Sequence, residues 1–126
     1  MDLTKEKIEN SISERRRAHT NLLRHAKSYE KFLDVEKAAF APGAIDVKAK
    51  ELMALAVSIV TKCEPCMEWH LHQALTHGAS EEEIYETIDV AIEMGGGPAL
   101  AYARFVVTAL ALAQAGLGDP SSTDER

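Results

Sequence analysis

Apolar residues recur at helical spacing in nearly every segment of this chain, and no stretch alternates apolar and polar residues as a half-buried strand would. That periodicity predicts an all-α fold, a compact bundle of about five to six helices. Residues 4 to 40 carry Ile8, Ile12, Leu22, Leu23, Tyr29, Phe32, Leu33 and Phe40 among many charges, the pattern of two helices or of one long helix bent near residues 17 to 20. "APGAID", residues 41 to 46, reads as a turn, and Asp46 can cap the next helix by accepting its unpaired N–H groups.

The third helix is expected over about 47 to 62, with Leu52, Leu55, Ala56, Ile59 and Val60 toward a core and Glu51 near its first turn. Pro65 lacks an N–H and has a preset φ, so it suits the first turn of a new helix running to about residue 76, closed by Gly78 in the left-handed conformation. Ser80 and Glu83 form a capping box ahead of Ile84, Ile88, Ala91 and Ile92. "GGGP", residues 95 to 98, predicts a turn before a last helix over about 98 to 115. That helix is apolar around most of its circumference, so part of it is expected to pack against another subunit.

At 126 residues the chain suits one domain, assigned to residues 1–115, with a frayed tail over 116–126. A net charge of −6 offers no concentrated positive field for nucleic acid or anionic membranes, and Arg15, Arg16 and Arg17 read as a solvated helix face. The charged start "MDLTKEKIEN" has no apolar signal core, and the apolar run at 99–115 is interrupted by Arg104 and reads as a buried helix. A cytoplasmic protein is expected, without nucleic-acid or membrane partners.

Both cysteines of the chain lie in "KCEPCMEWHLH", residues 62 to 72. In a reducing compartment a pair three residues apart points to catalysis or metal binding rather than to a structural staple. Spacings of three and four put Cys63, Cys66 and His70 on one helix face. A helix N-terminus favours thiolate over thiol, and an imidazole one turn further on can take the proton. The helix dipole favours Cys63 as the ionised sulfur, whereas the i,i+4 neighbour His70 favours Cys66. Glu51 can complete the set if its helix packs antiparallel to the cysteine helix.

Zinc is a competing reading, since two thiolates and an imidazole are good ligands and His72 or Glu68 could be recruited as a fourth. His72, however, lies about 200° around the helix from His70, and neither a metal nor another cofactor is expected. Inert buried sulfur is the blandest alternative. Trp69 and Met67 read as core or interface packing, His72 and His77 as helix-surface or satisfied core residues, and His19 and His25 as solvated. The three glycines at 95–97 have no preceding strand or following lysine and are not a phosphate loop.

Glu51, Cys63, Cys66 and His70 reproduce an E-x11-C-x2-C-x3-H pattern, and residues 48 to 103 resemble throughout the core of the AhpD-like alkylhydroperoxidases of the carboxymuconolactone decarboxylase superfamily. The resemblance implies an AhpD-like helical domain with its core at about 46–115, assembled as a homo-oligomer, a trimer or hexamer. It implies a dithiol that reduces organic hydroperoxides, with Cys66 attacking, Cys63 resolving, and Glu51 and His70 relaying the proton through a bound water. A lipoyl group or a thioredoxin-like protein would restore the dithiol. Where some relatives have histidine or tyrosine between the cysteines, this chain has Glu64 and Pro65, and a carboxylate there disfavours thiol ionisation. The alternatives are a dithiol–disulfide oxidoreductase or redox sensor acting on something other than peroxide, and, less favoured, decarboxylase-type chemistry.

Overall fold

A computed structural model describes residues 3–116, and every regular element among them is helical. Five helices follow one another: α1 (Leu3–His25), α2 (Lys27–Phe40), α3 (Val47–Val60), α4 (Glu64–Thr76) and α5 (Glu81–Gln114). Of the expected tail, residues 116–126, all but Gly116 lie outside the described residues.

The core is made where α3, α4 and α5 pack on one another, with α1 laid against α4 and α5. Leu55 and Ile59 from α3, Met67 from α4 and Ile84 and Val106 from α5 are completely buried, joined by Ile8 and Ile12 of α1. Burying each large aliphatic side chain stabilises the fold by about 1.5–3 kcal/mol before chain entropy is counted.

The expected caps are present. Asp46 accepts a 2.8 Å hydrogen bond from the Ala49 amide. Ser80 and Glu83 close their box reciprocally, at 3.1 and 2.9 Å. The hydrogen bond from the Ser80 amide, and after it the one from Lys48 at 3.0 Å, hold the Glu83 carboxyl below its ordinary value.

Several expectations need correction. Of the two readings of the first region the structure has the two helices, parted at Ala26 in an extended conformation, and not one long helix bent at residues 17–20. α3 ends at Val60 rather than Lys62, because Lys62 adopts a left-handed φ of 61°. The glycine-rich turn is compressed into a kink inside α5: Gly96 alone leaves helical geometry, at φ 67° and ψ −149°. Pro98 then falls in the first turn after the kink, where a missing N–H breaks no helical bond. Gly95 is needed for a different reason, since a Cβ there would stand 2.7 Å from the Ala99 Cβ and 3.3 Å from Val60 Cγ2.

Burial also departs from the sequence pattern. Leu22, Leu23 and Phe32 are exposed, and so is Val60. His19, expected to be solvated, is partly buried and shares a 2.6 Å hydrogen bond with the Tyr29 hydroxyl. By length and composition α5 is the one helix among the described residues that could cross a membrane, but Ile84, Ile88, Ala91, Ala103, Val106 and Leu110 bury its inner side in the bundle.

Candidate active site

The chain turns from α3 into α4 through only three residues. Lys62 N–H bonds Ile59 O at 3.1 Å and Cys63 N–H bonds Ser58 O at 3.0 Å, the paired bonds of a Schellman ending with Lys62 at its left-handed position. The reversal is tight enough to lay α4 antiparallel on α3. Cys63 becomes the N-cap of α4, and its sulfur accepts the Cys66 amide hydrogen at 3.3 Å. Pro65 sits in the first turn, as its chemistry predicts.

The two sulfurs are bonded to each other, with Cα atoms 5.2 Å apart. Both cysteines are half-buried. The dithiol pair is therefore held at the N-terminal end of a helix, reachable from outside, in its oxidised form.

The antiparallel register brings Glu51 level with His70. Glu51 is completely buried, and its Oε1 lies 2.8 Å from His70 Nδ1. A carboxylate can only accept, so Nδ1 carries the hydrogen and Nε2 keeps its lone pair as the proton-accepting atom. His70 stands one helical turn beyond Cys66 on the same face. Thus Glu51, Cys63, Cys66 and His70, picked out by spacing, are gathered at one α3–α4 seam.

Two neighbours of the site were not foreseen. The Phe40 ring stacks on the His70 ring, centroids 5.5 Å apart and planes 18° from parallel. Phe40 read only as one more apolar residue; nothing in its spacing linked it to His70, thirty positions on. Lys7 of α1 pairs with Glu64 at 3.0 Å, which sets a counter-charge against the carboxylate between the cysteines.

On the opposite side of α4, Arg15 meets Glu68 at 3.0 and 3.3 Å in a two-pronged contact, and its guanidinium lies 4.5 Å over the Trp69 ring. Arg15 is thus a clamp between α1 and α4 and not part of a solvated face. His72, weighed as a zinc ligand, is buried on that side and stacks on Trp69 at 6.0 Å. Among the described residues no group of three or more His, Cys, Asp or Glu side chains is arranged to hold a metal ion.

Together these features define a small helical protein that presents a disulfide-bonded cysteine pair beside a buried acid–imidazole couple. The profile of the carboxymuconolactone decarboxylase family matches residues 17–109, and the chain belongs to that family.

Its relatives include a protein of Paracoccus denitrificans known as uncharacterised protein 4 in the cox locus, 44% identical over 79 residues that cover 63% of this chain and 71% of the relative. An uncharacterised protein of Cupriavidus necator is 42% identical over 57% of this chain and 64% of its own length.

Among solved structures, a family protein from Thermotoga maritima, described with a suggested involvement in antioxidative response, superposes with a TM-score of 0.80 at 30% identity over 92% of this chain and 99% of that one. The apo form of a Legionella pneumophila carboxymuconolactone decarboxylase family protein gives 0.75 at 30% identity, over 85% and 94%.

Proposed function

We propose that this protein is a thiol-dependent reductase of organic hydroperoxides. The observation that carries the reading is the 2.8 Å contact between a fully buried Glu51 and His70, one turn from a cysteine pair already closed into a disulfide. In the reduced protein His70 Nε2 takes the Cys66 proton, directly or through a water, while Glu51 steadies the imidazolium. The Cys66 thiolate attacks the outer oxygen of ROOH, the O–O bond breaks, and the leaving alkoxide takes the proton back as ROH. Cys66 is left as a sulfenic acid. The Cys63 thiol attacks that sulfur, water leaves, and the disulfide forms, so that dithiol plus ROOH gives disulfide, ROH and H2O.

Capping of α4 by the Cys63 sulfur keeps the resolving atom within reach of Cys66. An external dithiol, a lipoyl group or a thioredoxin-like protein, then returns the two electrons by exchange. The suggested antioxidative involvement of the Thermotoga maritima relative is consistent with this reading. The setting is a cytoplasmic homo-oligomer. An apolar groove of about 550 Å³ between α3 and α5, lined by Met53, Val57, Val60, Val90 and Met94 among others, gives a second subunit a surface to cover.

The test is anaerobic thiol counting before and after one equivalent of cumene hydroperoxide, on the native protein and on Cys66→Ser. Rapid loss of two thiols in the native protein and no fast reaction in the variant is expected. Equal, slow oxidation of both proteins would instead mark a dithiol switch whose substrate is not a peroxide.

A further inference from the structure

We infer that Phe40 is a positioning residue for the Glu51–His70 couple, holding the imidazole in the plane from which it serves Cys66. The inference rests on the proton-relay reading above.

The placement begins in the sequence. Phe40 is the last residue of α2, and the chain leaves helical geometry at Ala41, at φ −60° and ψ 142°. α2 has no fully buried residue and no side-chain cap at its start, so the bundle grips it lightly along its length. Its C-terminal end is fixed differently. Lys50 Nζ donates to the Ala41 carbonyl at 2.6 Å, tying the residue after Phe40 to the residue before Glu51. That tie carries the Phe40 ring onto the His70 ring.

A single hydrogen bond at Nδ1 fixes one atom of an imidazole but leaves the ring free to rock about that contact. An aromatic face stacked at 5.5 Å with planes 18° apart blocks that tilt. It also covers one face of the ring against water, and it suits the imidazolium that forms when the thiol proton is taken. With Glu51 at the edge and Phe40 on the face, two of the ring's freedoms are removed and Nε2 is aimed. Such support from a group that touches no reacting atom is what precise proton transfer requires.

The experiment uses the full chain, reduced, as native protein, Phe40→Tyr and Phe40→Leu. The first readout is the proton NMR spectrum of His70, whose ring C–H signals are expected to be displaced upfield by the Phe40 ring current in the native protein and in Phe40→Tyr, and not in Phe40→Leu. Absence of that displacement in the native protein overturns the inference.

The second readout is the rate of Cys66 alkylation by iodoacetamide, and the third is single-turnover oxidation by cumene hydroperoxide. Both rates are expected to fall about tenfold in Phe40→Leu, with the half-saturating peroxide concentration unchanged, and to stay within about twofold of native in Phe40→Tyr. Equal rates in the leucine and tyrosine variants would reduce Phe40 to a space-filler and overturn the assignment. Should the native protein leave the peroxide unreacted while alkylation still depends on the aromatic ring, the positioning role stands and the peroxidase reading falls.

Discussion

Lys62 and Gly78 occupy the same backbone position at the ends of two consecutive helices. Each is left-handed, at φ 61° and 89°, and each is followed by a residue whose N–H reaches back to the helix: Cys63 to Ser58 O at 3.0 Å, Ala79 to Ala74 O at 2.9 Å. Glycine takes that conformation without cost, whereas a residue with a Cβ is strained there by about 1 kcal/mol. The strain at Lys62 sits immediately before the first cysteine.

Replacing Lys62 with glycine is accordingly expected to raise the free energy of unfolding, by up to about 1 kcal/mol, partly offset by the looser unfolded chain that glycine brings. Urea unfolding of the oxidised protein measures it. A loss of stability would show that the lysine side chain contributes more than its backbone costs.

Glu51 is the residue whose change separates chemistry from folding. Glu51→Gln keeps the volume and a hydrogen bond to His70 but removes the charge that steadies an imidazolium. Oxidation of the dithiol by cumene hydroperoxide is expected to slow by about 100-fold, with the helical circular dichroism spectrum unchanged. A rate within a factor of three of native would remove Glu51 from the relay.

The clamp on the far side of α4 predicts non-additive stabilities. Glu68 is buried and Arg15 partly so. Arg15→Met leaves a buried carboxylate without its guanidinium and is expected to cost about 3 kcal/mol, whereas the double change Arg15→Met with Glu68→Leu should be markedly milder. Thermal unfolding of the two single variants and the double variant provides the cycle. Additive losses would argue that the pair is not coupled.

Acid should loosen the start of α5. The Glu83 carboxyl lies below its ordinary value of 4.5, held there first by the Ser80 amide and then by Lys48. A group depressed in the folded state contributes stability above its unfolded value and loses it as pH falls through the folded value. Native protein is therefore expected to lose melting temperature between about pH 5 and 3 more steeply than Glu83→Gln. Parallel curves would deny the carboxylate this role.

The apolar groove predicts association. Light scattering of the native protein is expected to give a mass above that of one chain, and Val57→Glu together with Met94→Glu, both exposed in the groove, should return it to a monomer. A monomeric native protein would remove the oligomer from the proposal.

Much of the architecture could be read locally. Asp46, Ser80 with Glu83, Pro65 and Gly78 each announce a helix boundary by the chemistry of a single turn, and each boundary is where that chemistry puts it. The break at Ala26 carries no such signal, since alanine has neither a side-chain cap nor a φ constraint, so the two helices are legible but the point that parts them is not. Lys62 misled for a similar reason: lysine is a good helix former, so only the demand for a three-residue reversal reveals it as a left-handed stop. Arg15 looked solvated because a row of three arginines says nothing of a buried glutamate fifty-three positions away.

The sequence by itself determined the helical class, the caps, and the placement of Cys63, Cys66 and His70 on one face, because these follow from interactions within a few residues along one chain. Only the tertiary structure decided that Glu51 lies buried against His70, that Phe40 covers the imidazole, and that Lys7 and Arg15 brace the two sides of α4. Those contacts join residues far apart in sequence, and they exist because helix packing sets a register that no local propensity encodes.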